Sequence, residues 1–304
     1  MSQFEPPLFP SMRAMSAPTT PGITVVIPTY NRAQLVTRAI NSVLAQSMPD
    51  FELIVVDDGS TDETADVLAA LKDPRLRVIH QENRGVSAAR NVGIDAAVGE
   101  MIVWLDSDDE AEPGWLEFFE RSRKAAAGLA SCAALMIRTH DGVQVVRTPE
   151  SGGPVFGHLT ARFLAGAMAV ERKLLREVGG FKEGLKFGEH TELGVRLGAR
   201  ARRVPFEVCT TDVPLVRSYR SDAPVDPRVR LDSALALLES CRQNAPRSRS
   251  YSATYLAIAG VSASRIGERR QAIRLLGAAV VQRPDRLVNW ARLARAAVAR
   301  GLRS

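Results

Sequence analysis

Between residues 23 and 105, short apolar runs alternate with amphipathic stretches at a steady spacing. Ile23-Thr24-Val25-Val26-Ile27 is apolar and β-branched and is ended by Pro28, so it predicts a buried strand. The next stretch has helical periodicity, with Leu35, Ala39, Ile40, Val43 and Leu44 on one face. Phe51 to Val56 predicts a second strand, followed by a helix whose apolar side carries Val67, Leu68 and Leu71. A third strand is expected at Leu76–Ile79, a helix from Val86 to Val98, and a fourth strand at Met101–Leu105. Strands and helices alternating at this pace predict a parallel sheet covered on both faces.

Two acidic turns stand where those strands should end. Asp57-Asp58-Gly59-Ser60-Thr61-Asp62 closes the second, and Asp106-Ser107-Asp108-Asp109 closes the fourth. Open α/β sheets bind ligands at the carboxyl ends of their strands. Three carboxylates in four positions repel one another unless a positive charge compensates them, and Mg²⁺ and Mn²⁺ prefer carboxylate and phosphate oxygens. The plainer reading is a solvated turn or helix N-cap, which Asp and Ser also favour.

Four motifs in order narrow the choice. Thr24-Val25-Val26-Ile27-Pro28-Thr29-Tyr30-Asn31-Arg32 comes first, then Val55-Val56-Asp57-Asp58-Gly59-Ser60-Thr61-Asp62. Asn83-Arg84-Gly85 with Ala89-Arg90-Asn91 is third, and Asp106-Ser107-Asp108 is fourth. Over residues 22 to 220 the chain resembles the family 2 inverting glycosyltransferases, which have the GT-A fold and use nucleotide-diphosphate sugars. The resemblance implies an α/β GT-A fold, a Rossmann-like mixed sheet flanked by helices, here with a C-terminal helical extension. It also implies a donor site built from Pro28, Tyr30, Arg32, Asp58, Arg90 and Asp106. Tyr30 would stack on the nucleobase, where an aromatic face binds any base. Asp58 would accept a base N–H, and Asp57 would order its loop or meet the ribose. The Arg90 fork would suit the diphosphate or Asp58. Asp108, helped by Asp106, would ligate Mn²⁺ or Mg²⁺, which bridges the phosphates and neutralises charge on the departing nucleotide. The blander alternatives are a core-edge role for Tyr30 and a helix-surface role for Arg90.

The second half follows the family's layout through Val178-Gly179-Gly180-Phe181 and Phe187-Gly188-Glu189-His190-Thr191-Glu192. The family usually opens this helix with Glu-Asp and uses the Asp as general base; here His190 takes that position. A neutral imidazole, with an unperturbed pKa near 6.5, can take a proton from the acceptor hydroxyl. Its competitors are Glu189 and Glu192, which at i and i+3 share a helix face. The helix N-terminus favours their ionised form. The alternative is a hydrogen-bonded helix-end histidine with no catalytic part. The family often has a His after an aromatic-Arg strand, but Tyr219-Arg220-Ser221-Asp222 has none, so a third protein metal ligand is not expected.

Composition sets the frame. A chain of 304 residues can bury a substantial core. Residues 1–21, with five prolines, read as a flexible leader without the features of a signal peptide. Residues 22–125 are expected to form the nucleotide-sugar half, 126–224 the acceptor half, and 225–304 a basic helical region. The segment 138–160, with Asp141-Gly142 and Gly152-Gly153-Pro154, is a candidate flap over the acceptor. No apolar stretch reaches the roughly 18 residues of a membrane helix, which argues against a membrane-embedded synthase. Cys132, Cys209 and Cys241 have neither metal spacing nor a disulfide framework, as in a cytoplasmic protein.

From Asp226 to Ser304 there are 15 Arg, no Lys and five acids, a net of +10 in a chain whose total is +6. The remainder therefore carries −4. The tail loosely resembles a tetratricopeptide-like helical pair from Tyr251 to Trp290, too few repeats for a free-standing array, so it is expected to pack on the α/β unit. Its basic faces suit peripheral contact with anionic membrane, a protein partner, or plain solvation. Nucleic acid ranks low, because no aromatic residues interleave the cations. The expected partners are thus a nucleotide-diphosphate sugar, with a UDP-sugar favoured, and a hydroxyl acceptor; oligomeric state is not readable. A nucleotidyltransferase is the rival enzyme, but Pro28-Thr29-Tyr30-Asn31-Arg32 is not a Gly-rich phosphate loop. A non-catalytic sugar-nucleotide-binding scaffold is the rival from another class.

Overall fold

The computed structural model describes residues 20–149, 165–220, 225–244 and 249–298. The expected leader, apart from its last two residues, and the candidate flap beyond residue 149 lie outside them. The strands are β1 (Ile23–Thr29), β2 (Phe51–Asp57), β3 (Leu76–His80), β4 (Met101–Trp104), β5 (Glu110–Ala111), β6 (Ala127–Arg138), β7 (Gln144–Arg147), β8 (Met168–Glu171) and β9 (Glu207–Arg220). They form one sheet in the order β3-β2-β1-β4-β8-β6-β9-β5, with β7 paired to β6. The first four strands in that order are mutually parallel, while β8 runs antiparallel to both β4 and β6. The two expected halves therefore share a single sheet. The opening of the candidate flap is the β6–β7 hairpin.

Helices α1 (Ala33–Leu44), α2 (Thr64–Ala70) and α4 (Trp115–Lys124) cover one face, where Val25, Ile27, Ile40, Leu68 and Phe119 share a core. Helices α3 (Val86–Ala96), α5 (Arg172–Val178) and α6 (Glu189–Arg203) cover the other, where Val26, Ile54, Ile94, Leu175 and Leu193 pack. Alternate residues of β1 thus enter opposite cores, which is why its sequence is apolar throughout.

Two local expectations need correction. Pro28 does not end β1: the strand continues to Thr29, with Pro28 opposite Val56. β4 stops pairing at Trp104 opposite Val26, so Pro28 has a neighbour on one side only and its missing N–H breaks no ladder. In α1 the fully buried stripe is Val36, Ala39, Ile40 and Val43, with Leu35 and Leu44 at its margins.

The tail folds as α7 (Pro227–Asn244), α8 (Arg249–Arg265), α9 (Arg269–Gln282) and α10 (Leu287–Val298) around its own core of Leu231, Leu237, Tyr255 and Leu276. It packs on the α/β unit, as expected. Leu237 lies so close to Gly188 that a Cβ there would come within 2.9 Å of it. The Ser240 hydroxyl donates to Glu192 at 2.8 Å. None of the described helices is long and apolar enough to cross a membrane.

Candidate active site

The loops after β1 and β2 are stitched together before any ligand is considered. Asn31, at φ +51°, donates its backbone N–H to Ser60 Oγ at 2.9 Å and accepts the Thr61 N–H at 2.8 Å. Asn tolerates this left-handed conformation better than most residues. The Arg32 N–H donates to Thr64 Oγ1 at 2.9 Å. Asp57 accepts the N–H and hydroxyl of Ser60 and meets His80 Nδ1 at 3.0 Å, so its carboxylate is engaged in ordering the loop. Asp58 accepts Gln81 Nε2 and the Arg84 N–H on Oδ1, and the Gly85 N–H on Oδ2. Each carboxylate oxygen offers two lone pairs, so Oδ2 has room for one further donor.

A cavity of about 440 Å³ opens at the carboxyl ends of β1, β2 and β4. Pro28, Tyr30, Arg32, Asp58, Arg90 and Asp106 all line it, together with Asp108 and Glu189. Tyr30 is 45% exposed, an aromatic face left bare at the cavity wall and not a core-edge residue. Thr29, Asn83, Val86 and Ser107 also line it; they were not singled out from sequence because their types carry no distinctive chemistry.

Arg90 organises the floor. Its buried guanidinium donates to Asp106 at 2.8 Å and to Glu189 at 3.3 Å, and lies 5.2 Å from the Phe181 ring centre. It is neither surface-exposed nor paired with Asp58. Burial alone would raise the Asp106 pKa, but the Arg90 charge beside it holds it below the usual carboxylate range. Burial and then Asp106 raise Asp108, and the same two causes push Asp109 up to about 8. Oxygens of Asp106, Asp108 and Asp109 lie within 4.8 Å of one another. Three hard oxygen donors held together against their own repulsion fit a divalent cation such as Mg²⁺ or Mn²⁺. Asp109 is the addition to the sequence-predicted pair, and it also accepts the Tyr219 N–H at 2.9 Å.

A second cavity of about 610 Å³ shares Arg90, Asp106 and Glu189 with the first. Beyond them it is lined by Lys186, Phe187, His190, Arg220, and by Arg230, Tyr255 and Ile258 from the tail. His190 is 7% exposed, with its ring edge-on to Phe181 at 5.1 Å and to Trp104 at 6.3 Å. Its Nε2 is buried without a hydrogen-bond partner, so the reading of a hydrogen-bonded helix-end histidine does not hold for that nitrogen. Burial first, and the Arg90 charge next, hold His190 well below its ordinary pKa. Glu192 leaves the competition for general base. It turns away from both cavities, taking the Arg196 guanidinium at 2.6 Å and the Ser240 hydroxyl.

Residues 24–121 match the family described as glycosyl transferase family 2. That segment, about a third of the chain, is similar to this family. Among its relatives, the succinoglycan biosynthesis protein ExoO of Rhizobium meliloti is 40% identical over 145 residues, which are 45% of this chain and 42% of ExoO. Glycosyltransferase GlyG of Streptococcus pneumoniae is 42% identical over 98 residues, 31% of this chain and 33% of GlyG. The chain thus spans less than half the length of these relatives. Among solved structures, S. aureus TarS 1–349 in complex with UDP-GlcNAc superposes with a TM-score of 0.69 at 20% identity. That match covers 90% of this chain and 87% of TarS 1–349, so the GT-A-like α/β fold with its helical C-terminus is shared across nearly the whole length. The same region of TarS was also crystallised with UDP.

Proposed function

We propose that this chain is an inverting glycosyltransferase of family 2 that moves a sugar from a nucleotide-diphosphate donor to an acceptor hydroxyl. The observation that carries the reading is the meeting of two cavities at Glu189, one lined by every donor-side motif and the other by His190. In this reading Tyr30 stacks on the base, and Oδ2 of Asp58 takes a base N–H. Pro28 and Arg32 complete that wall, and Arg90 with Asp106 frames the diphosphate and ribose. Asp108 and Asp106, joined by Asp109, would hold Mn²⁺ or Mg²⁺, which supplies charge neutralisation on the departing diphosphate. The acceptor oxygen attacks the anomeric carbon from the second cavity, and the carbon–oxygen bond to the β-phosphate breaks with its electron pair leaving on the nucleotide. The acceptor proton passes to His190 Nε2, a buried, unpartnered acceptor held neutral by its surroundings. Attack on the face opposite the leaving group inverts the anomeric centre. Glu189 is the alternate base, and its other role is to hold Arg90. A UDP-sugar is the first donor to try, given the UDP-GlcNAc in the TarS complex of the same fold. The few, widely spaced cysteines Cys132, Cys209 and Cys241 fit work in the reducing cytoplasm, with any membrane contact peripheral and through the basic 226–304 region.

Calorimetry tests the donor site. UDP should bind in the presence of Mn²⁺ far more tightly than GDP or dTDP, and Asp108→Ala should remove the metal-dependent part. Slow hydrolysis of a UDP-sugar without acceptor should accompany it. Binding without any hydrolysis or transfer would favour the non-catalytic scaffold, and no nucleotide binding under any metal condition would sink the donor assignment.

A further inference from the structure

The second cavity carries positive charge that the donor chemistry leaves unused. Its wall holds four cations, Arg90, Lys186, Arg220 and Arg230, against two carboxylates, Asp106 and Glu189. Arg90 is engaged by both of those carboxylates. Arg220 lies within electrostatic reach of Asp106, Asp108 and Asp109, and of His190. Among the described residues, Lys186, Arg220 and Arg230 form no ion pair of their own.

Arg230 is the most telling of the three. It projects from α7, outside the segment that matches the family, and stands over the Phe187 ring at 5.4 Å. Its Nε is buried with no hydrogen-bond partner. A buried guanidinium N–H without an acceptor is costly, and a planar fork matches phosphate or carboxylate in geometry. Tyr255 and Ile258 of α8 supply an apolar wall beside it, against which a sugar ring can lie. The plainer reading, a solvated basic rim, leaves that enclosed Nε unexplained.

We propose that the acceptor is an anionic sugar whose phosphate or carboxylate is gripped by Arg230, with Lys186 and Arg220, while its hydroxyl reaches the Glu189–His190 edge. The proposal rests on the glycosyltransferase reading and adds a substrate class to it. It also gives the basic tail a role in the site: α7 and α8 build the acceptor wall.

The test is calorimetric titration of the full chain, saturated with UDP and Mn²⁺ to fill the first cavity, with glucose 6-phosphate, glucuronate and methyl glucoside. At least one charged sugar should bind tenfold or more tightly than methyl glucoside, and which one does so tells phosphate from carboxylate. Arg230→Gln should weaken that binding at least tenfold and Lys186→Gln severalfold, with UDP affinity within twofold of wild type. Should Arg230→Gln fail to fold, Arg230→Lys keeps the charge but loses the fork and should fall between. Equal binding of charged and neutral sugars, or an Arg230 variant that binds the charged sugar like wild type, would overturn the proposal. Failure of UDP to bind would instead sink the donor reading. Titration without UDP would then still report whether Arg230 holds an anion.

Discussion

His190 lies at the first turn of α6 with its imidazole enclosed by Trp104 and Phe181. Because its folded-state pKa lies below the ordinary 6.5, the native protein binds this proton less readily than the unfolded chain does. The stability it contributes is therefore complete above pH 6.5 and is lost as pH falls toward the depressed value. Thermal melts should show wild type losing more between pH 7 and pH 5 than His190→Gln; parallel losses would mean that the ring is not held neutral. Kinetics separate the two candidate bases. His190→Ala should lower kcat by about 10²–10⁴-fold, the usual scale of general-base catalysis. Glu189→Gln should act mainly on donor KM, through the Arg90 that it pairs. The reverse pattern would transfer the base role to Glu189.

At the scale of elements, the third motif does two jobs. Arg90 turns into the site, while its neighbour Asn91 ties α3 to the turn that follows α5 in the expected acceptor half. Asn91 Nδ2 donates to the Phe181 carbonyl at 2.9 Å, and its Oδ1 accepts the Phe181 N–H at 2.7 Å. Gly180 has φ +64°, and a Cβ there would come within 2.6 Å of Asn91 Oδ1, so this turn needs glycine for its backbone and for its space. Asn91→Ala leaves two backbone groups unpaired and should cost about 1–3 kcal/mol for each that stays buried. Urea unfolding measures it, and a loss under about 0.5 kcal/mol would mean the turn is held by other contacts. The motif was visible in sequence as a string, but not this division of labour. Adjacent residues on a helix point about 100° apart, and two of the partners, Glu189 for Arg90 and Phe181 for Asn91, lie 99 and 90 positions away.

For the whole molecule, Glu192 joins the α/β unit to the tail. Its nearly buried carboxylate takes Arg196 from its own helix and Ser240 from α7. Glu192→Ala removes one member of a buried pair and should cost about 3–5 kcal/mol in urea unfolding. Because α7 and α8 also wall the second cavity, the same change should lower acceptor kcat/KM while UDP affinity holds. Unchanged acceptor kinetics would mean that the tail's position does not govern the acceptor side.

The apolar runs, the turn residues and the motif order determined the parallel strands, the helices on both faces and the main residues that line the first cavity, because strand and helix periods and carboxylate clusters are local properties of a chain. The extent of β1 past Pro28 was not local, since it depends on where β4 stops. Nor were the surroundings of Glu189, His190 and Glu192, since packing pairs Glu189 with Arg90, buries His190 among aromatic rings and turns Glu192 toward α7. The tail's cationic character was plain in its composition. That Arg230, Tyr255 and Ile258 would line a cavity with Asp106 was decided only by tertiary structure, because a site assembled across more than 100 residues is specified by how helices dock and leaves no periodicity in the sequence to read.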